Sequence, residues 1–167
     1  YKNNKEVLII GEDILKYNIN KIIEIGVFKG VTARNICELL SASKKDFMYI
    51  GIDIFDPKYD NNDEILPIFK SSNPLKKIYH KYISRKEPYS LEGVEKLLKK
   101  FKKNVILYKG NSNEILKDFE HKNIDYVIID GCHSYDTVKQ DLKLSAKILS
   151  KEGIIMCDDY MHNEAPG

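Results

Sequence analysis

Four apolar residues, Tyr126 to Ile129, run straight into Asp130, Gly131, Cys132 and His133. A carboxylate, a thiol and an imidazole at the mouth of an apolar strand are groups that move protons or hold cations. A second acidic pair, Asp158 and Asp159, closes the run Gly153–Cys157. Carboxylates gathered at adjacent strand ends repel, at a cost on the order of 4 kcal/mol for two charges ~4 Å apart at an effective dielectric near 20. Protonation or a cation relieves that repulsion. The all-oxygen set Asp130, Asp158 and Asp159 suits Mg²⁺ or Ca²⁺ rather than Zn²⁺. His133 reads either as a general base or as a helix N-terminal residue bound to backbone. Cys132 reads as a small packing residue. His162 is a second candidate base, while His80 and His121 read as surface residues.

Three further positions fall at the ends of apolar runs. The first run ends "EIGVFKG", where Gly26 allows a tight turn and Gly30 opens a helix whose N–H groups can meet a polar ligand. Glu24 lies inside that run, and a buried carboxylate is expensive unless something satisfies it. The second run ends "GIDIFD", which puts Asp53 where an acidic residue can accept both hydroxyls of a ribose. The third ends "YKGNSNEIL", where Asn111 and Ser112 can cap a helix or bond a purine edge. Taken singly, each is ordinary turn or capping chemistry; three at consecutive strand ends point to a ligand.

Alternating elements must position these groups. The expected strands are Lys21–Gly26, Met48–Ile54, Val105–Tyr108, Asp125–Asp130 and Gly153–Asp158, short and rich in Ile and Val, as strands buried on both faces are. Helical stripes lie between them. One runs through Thr32, Ile36, Leu39, Leu40 and Ser43. A second runs through Leu91, Val94, Leu97, Leu98 and Phe101, with Ser90 as N-cap. A third takes Tyr135, Val138, Leu142, Ala146 and Leu149 inward and turns Asp136, Lys139, Lys143 and Lys147 to water. Strand–helix alternation means an α/β, doubly wound, mainly parallel sheet. One connection is far too long for a single crossover helix and reads as a helical insertion over about 55–103. From Lys58 to Lys103 it holds twelve Lys/Arg against six Asp/Glu, leaving the remainder of the chain net acidic. The insertion reads as a solvated helical segment or as a lid supplying substrate contacts.

Composition narrows the class. At 167 residues the chain is read as one domain, 1–167, with 43% hydrophobic and 31% charged residues typical of a globular protein. No apolar run reaches the roughly 20 residues that span a bilayer. A net charge of +2 argues against a nucleic-acid partner. Three cysteines without CxxC spacing argue for reduced thiols and a cytoplasmic setting. The start "YKNNKEVLII" has neither an initiator methionine nor a signal peptide, which reads as a trimmed domain.

The pattern E-x-G-x-x-x-G after the first strand, Asp after the second, G-N-S after the third and "IIDG" at the fourth resembles class I S-adenosylmethionine-dependent methyltransferases. "DGCHSYDTVKQDL" followed by "LSKEGIIMCDDY" is similar to a small-molecule O-methyltransferase group that includes macrocin O-methyltransferase-like and cephalosporin hydroxylase-like proteins. Cys132 stands where many of those relatives carry Asp, and Glu152-Gly153 where they carry Gly-Gly. The resemblance implies a Rossmann-like sheet of five strands in the order 3-2-1-4-5, with the family's last two strands missing and the fifth at an edge open to pairing with another chain, in a homodimer or a larger parent protein. It implies S-adenosylmethionine as cofactor. Glu24, Gly26 and Gly30 would hold its methionine portion, Asp53 the ribose, and Asn111 and Ser112 the adenine, with Asp130 beside the methyl group. Methyl transfer to a hydroxyl of a sugar, glycan or natural product follows, with His133 as base and Mg²⁺ on Asp130, Asp158 and Asp159, or with His133 alone. The rival reading is a non-catalytic module that binds S-adenosylmethionine or a nucleotide. An oxidoreductase lacks its GxGxxG, and a nucleic-acid methyltransferase its Asn/Asp-Pro-Pro-aromatic motif.

Overall fold

The computed structural model describes residues 4–43, 46–56, 89–132 and 134–158. Five strands form one parallel sheet: β1 (Lys21–Ile25), β2 (Met48–Asp53), β3 (Val105–Lys109), β4 (Ile124–Ile129) and β5 (Leu149–Cys157), in the order β3-β2-β1-β4-β5. Every strand sits where its Ile- and Val-rich run predicts it. β5 begins four residues ahead of Gly153, across an irregularity in its pairing with β4 between Ile124 and Tyr126. Glu152 there is exposed and is not among the residues at positive φ, so the non-glycine at that position costs nothing.

Helices cover both faces. α1 (Asn4–Lys16), α2 (Val31–Ser43) and α3 (Leu91–Leu97) pack on one side with Ile10, Ile14, Ile36, Leu40 and Val94 around Ile22 and Tyr126. The short α4 (Ser112–Ile115), a following 3-10 turn and α5 (Tyr135–Ala146) cover the other, where Leu116, Phe119, Leu144 and Ile148 meet Ile23, Ile50 and Val127. α1 is an element that the apolar pattern before Lys21 does not announce. It is tied to the sheet by the Tyr126 hydroxyl, which donates to Asp13 Oδ2 at 2.8 Å. Ser90 caps α3 as expected, its side chain accepting from Gly93 N.

α5 departs from its predicted face. Asp136, Lys139, Lys143 and Lys147 are exposed as expected, but so are Tyr135 (60%) and Leu142 (36%). The inward stripe is Asp141, Leu144, Ser145 and Ile148. Two polar residues take core positions, so a search for apolar periodicity rotates the helix the wrong way.

The buried carboxylate in β1 has its partner. Glu24 and Tyr49 are both fully buried, on neighbouring strands, and the Tyr49 hydroxyl donates to Glu24 Oε2. Burial first, and Glu24 second, hold the Tyr49 hydroxyl well above its ordinary pKa, which keeps it a donor. Nearby, burial together with Glu24 and Glu38 pushes the Cys37 thiol up to about 12. None of the three cysteines forms a disulfide. Among the described residues no helix is long and apolar enough to cross a membrane.

Candidate active site

The carboxyl ends of the strands are stitched in spatial order. Gly26 N donates to Ile52 O, Gly110 N to Asp53 O, Asp130 N to Ile25 O and Asp158 N to Ile129 O. Gly26, Asp53, the turn at Asn111, Asp130 and Asp158 therefore share one rim of the sheet, the edge where open α/β sheets bind ligands.

Gly26 is indispensable to that rim. Its φ is +93°, and a Cβ on it would stand 2.2 Å from the carbonyl oxygen of Asp130 and 2.6 Å from Gly131 Cα. The ends of β1 and β4 can abut only without that atom. Gly30, at φ +71°, is pressed by α3, since a Cβ would come 2.9 Å from Val94 Cγ1. The end of the insertion thus leans on the turn after β1.

Asp53 is the hub. It is 9% exposed. Its Oδ2 accepts from Phe28 N at 2.7 Å, and its Oδ1 accepts from Phe55 N at 2.8 Å and from the Tyr89 hydroxyl at 2.9 Å. Phe28 and Phe55 lie at φ +52° and +48°, a conformation that L side chains seldom adopt. The carboxylate satisfies the N–H groups of both strained turns, which offsets the local cost. Asp53→Ala therefore removes two turn clamps together. Phe28 escapes a sequence reading because a backbone N–H 25 residues distant leaves no mark on residue type.

At the third strand end, Asn111 caps α4, its side chain accepting from Asn113 N at 2.8 Å. Asn113 Oδ1 is buried and has no hydrogen-bond partner, the sort of acceptor that an exocyclic amino group satisfies. Ser112, half-buried at the start of α4, lowers the pKa of the Asp141 carboxyl. Glu24 points into the core at Tyr49, behind the rim, so it supports the turn after β1 from beneath.

Asp141 is 1% exposed, and burial pushes its carboxyl up to about 6 while the Ser112 hydroxyl pulls it down. Its Oδ1 and the Ser145 Oγ one turn on have no hydrogen-bond partner. The folded chain thus keeps a proton that an unfolded carboxyl, near ~4, has released. Folding is penalised progressively as pH climbs from ~4 through the folded value of about 6, and the penalty is complete above it. Asp141→Asn, neutral at every pH, is expected to stabilise the fold near neutral pH by on the order of 2 kcal/mol and to change little near pH ~4. Urea melts at the two pH values check this; destabilisation at both would contradict it.

The acidic end is partly in view. Asp130 and Asp158 lie at adjacent strand ends, joined through the Asp158 N to Ile129 O bond. His133, Asp159, His162, His80 and most of the insertion, 57–88, fall outside the described residues. Among the described residues no group of three His, Cys, Asp or Glu could hold a metal ion. Cys132 Sγ accepts from Ser134 N at 3.4 Å, and Ser134 caps α5, so the thiol takes part in the turn that opens α5. His121 is not the surface residue its sequence context suggests. It is half-buried, with Nε2 3.2 Å from the Tyr108 hydroxyl and its ring against Phe119.

A doubly wound 3-2-1-4-5 sheet with a glycine turn after β1 and an acid closing β2 defines a Rossmann-like domain of the methyltransferase kind. The chain belongs to the methyltransferase-domain family, whose model matches residues 23–160. No curated protein matches it. Among solved structures it resembles the O-methyltransferase NovP (19% identity, TM-score 0.67, covering 96% of this chain and 66% of that one). It resembles TomG from Streptomyces achromogenes, an O-methyltransferase involved in tomaymycin synthesis and solved with S-adenosylmethionine (13%, TM-score 0.65, 99% and 64%). A protein described as a caffeoyl-CoA O-methyltransferase from Staphylococcus aureus is also similar (15%, TM-score 0.63, 95% and 58%). The chain spans roughly three fifths of the length of these structures.

Proposed function

We propose that the rim formed by β1 to β4 binds S-adenosylmethionine and that the protein transfers its methyl group to a hydroxyl of a small molecule, sugar or glycan. One observation carries the reading: the Gly26 turn and the Asp53 carboxylate meet at a single strand-end rim, in a chain of the methyltransferase-domain family. The donor set fits the cofactor. Asp53 retains acceptor capacity on Oδ2, Asn113 Oδ1 is an orphaned acceptor, and Gly26 and Gly30 put no side chain at either end of the turn after β1. Gly26 and Gly30 hold the methionine portion with Glu24 behind them, Asp53 the ribose, Asn111 and Ser112 the adenine, and Asp130 lies toward the transferred group. Bound S-adenosylmethionine supplies an electrophilic methyl group on a sulfonium.

His133, three residues after Asp130 in the sequence, takes the acceptor's proton. The carboxylates of Asp130, Asp158 and Asp159 have the all-oxygen chemistry of a Mg²⁺ site, which would lower the pKa of the acceptor hydroxyl. The similarity to NovP and TomG, both O-methyltransferases, supports the hydroxyl acceptor. β5 forms the sheet edge among the described residues and is the surface for a second copy or for the remainder of a longer chain. The test is transfer of labelled methyl to a panel of sugar and phenol acceptors, in chelator and then with Mg²⁺ restored. Loss and recovery are expected. Full activity in chelator, with Asp158→Ala and Asp159→Ala also active, would leave His133 alone as the working group, and cofactor binding without transfer to any acceptor would favour the non-catalytic module.

A further inference from the structure

We propose that Tyr89 fills one ribose-acceptor position on Asp53 in the free protein, and that a vicinal diol must displace its hydroxyl to be held by both carboxylate oxygens. The inference rests on the cofactor reading above. It concerns a residue that neither the family match nor the rim glycines point to.

A carboxylate offers about four lone-pair positions, two on each oxygen. Asp53 uses three of them. Oδ1 is full, accepting from Phe55 N at 2.8 Å and from the Tyr89 hydroxyl at 2.9 Å. Oδ2 accepts only from Phe28 N at 2.7 Å and has one position left. Two vicinal hydroxyls that both donate to this carboxylate need two positions. The amide donors cannot yield, because Phe28 and Phe55 at φ +52° and +48° are fixed in the turns that end β1 and β2. Tyr89 can, because a side-chain hydroxyl leaves by rotation while the backbone stays in place.

Its surroundings couple that movement to the site. Tyr89 directly precedes Ser90, the N-cap of α3, and α3 leans through Val94 on Gly30. The Tyr89 ring stands 5.3 Å from the Phe28 ring at an interplanar angle of 48°. Release of the hydroxyl frees an Asp53 position and loosens an aromatic pair over the turn after β1. In the free state the same contact fills the third of the carboxylate's four positions.

Calorimetry with S-adenosylhomocysteine and its 2′-deoxy and 3′-deoxy analogues, on the full chain and on Tyr89→Phe, tests this. Phenylalanine keeps the ring on Phe28 and deletes only the displaced hydroxyl. The variant is expected to bind S-adenosylhomocysteine about three- to tenfold more tightly than the parent, the strength of one hydrogen bond no longer broken. At least one mono-deoxy analogue, which needs only the vacant Oδ2 position, is expected to bind both proteins equally. Equal or weaker binding of S-adenosylhomocysteine by Tyr89→Phe, or an undiminished gain with both deoxy analogues, would overturn the proposal while leaving the cofactor reading intact. Failure of the parent chain itself to bind S-adenosylhomocysteine would overturn both.

Discussion

Gly26→Ala is expected to destabilise the fold by at least ~3 kcal/mol and to abolish cofactor binding at any temperature where the variant folds. Two costs combine. A left-handed conformation costs an L residue roughly 1–2 kcal/mol, and the new Cβ would stand 2.2 Å from the Asp130 carbonyl oxygen. The atoms it meets are backbone, Asp130 C at 2.5 Å and Gly131 Cα at 2.6 Å, so no side chain can swing aside. Relief requires parting β1 from β4, which breaks the Asp130 N to Ile25 O bond. Gly11→Ala is the control. In α1 its Cβ would meet only Leu39 Cδ2, at an ordinary 3.7 Å, and the helical alanine should stabilise by ~0.5–1 kcal/mol. Denaturant midpoints of the two variants must move in opposite directions.

The second large effect lies under the site. Glu24→Ala is expected to cost ~3–4 kcal/mol, because it opens a cavity in the core and strips the buried Tyr49 hydroxyl of its acceptor. Tyr49→Phe should cost less, ~2 kcal/mol, since only one hydrogen bond to a charged group is lost. The double variant should cost less than the sum, and that coupling identifies the pair as a unit. Equilibrium unfolding of the three variants measures it; strict additivity would show that the Tyr49–Glu24 contact contributes nothing. Glu24→Gln retains an acceptor and should fall between the parent and Glu24→Ala.

The strands are legible because parallel strands buried on two faces are nearly continuous apolar runs, and Ile22–Ile25, Ile50–Ile52 and Val127–Ile129 are such runs, broken only by Glu24 and Gly51. The rim was legible for the same reason: once the strands are ordered, Gly26, Asp53, Asn111 and Asp130 fall at their carboxyl ends. Glu24 announced itself as a buried charge in need of a partner, though nothing in the sequence names Tyr49. The face of α5 was misread because Asp141 and Ser145 point inward, and a stripe found by hydrophobicity passes over polar core residues. α1 was missed because its inward positions, Ile10 and Ile14, sit in a segment that is apolar on several sides, with Leu8, Ile9 and Leu15 exposed. Two of the three partners of Asp53 come from residues 25 and 36 positions away. Such contacts are made by the fold and leave no local signature.

Titration of S-adenosylmethionine into the chain and into Asp53→Ala, each shown by circular dichroism to be folded, tests the central claim most directly. Asp53 is the group on which the turn after β1, the end of β2 and the proposed ribose site all converge. The account predicts that the parent binds and that the variant binds more weakly by ~2–4 kcal/mol, on the order of thirtyfold or more, because the ribose hydroxyls lose a charged acceptor. Unchanged affinity in the folded Asp53→Ala variant would contradict it.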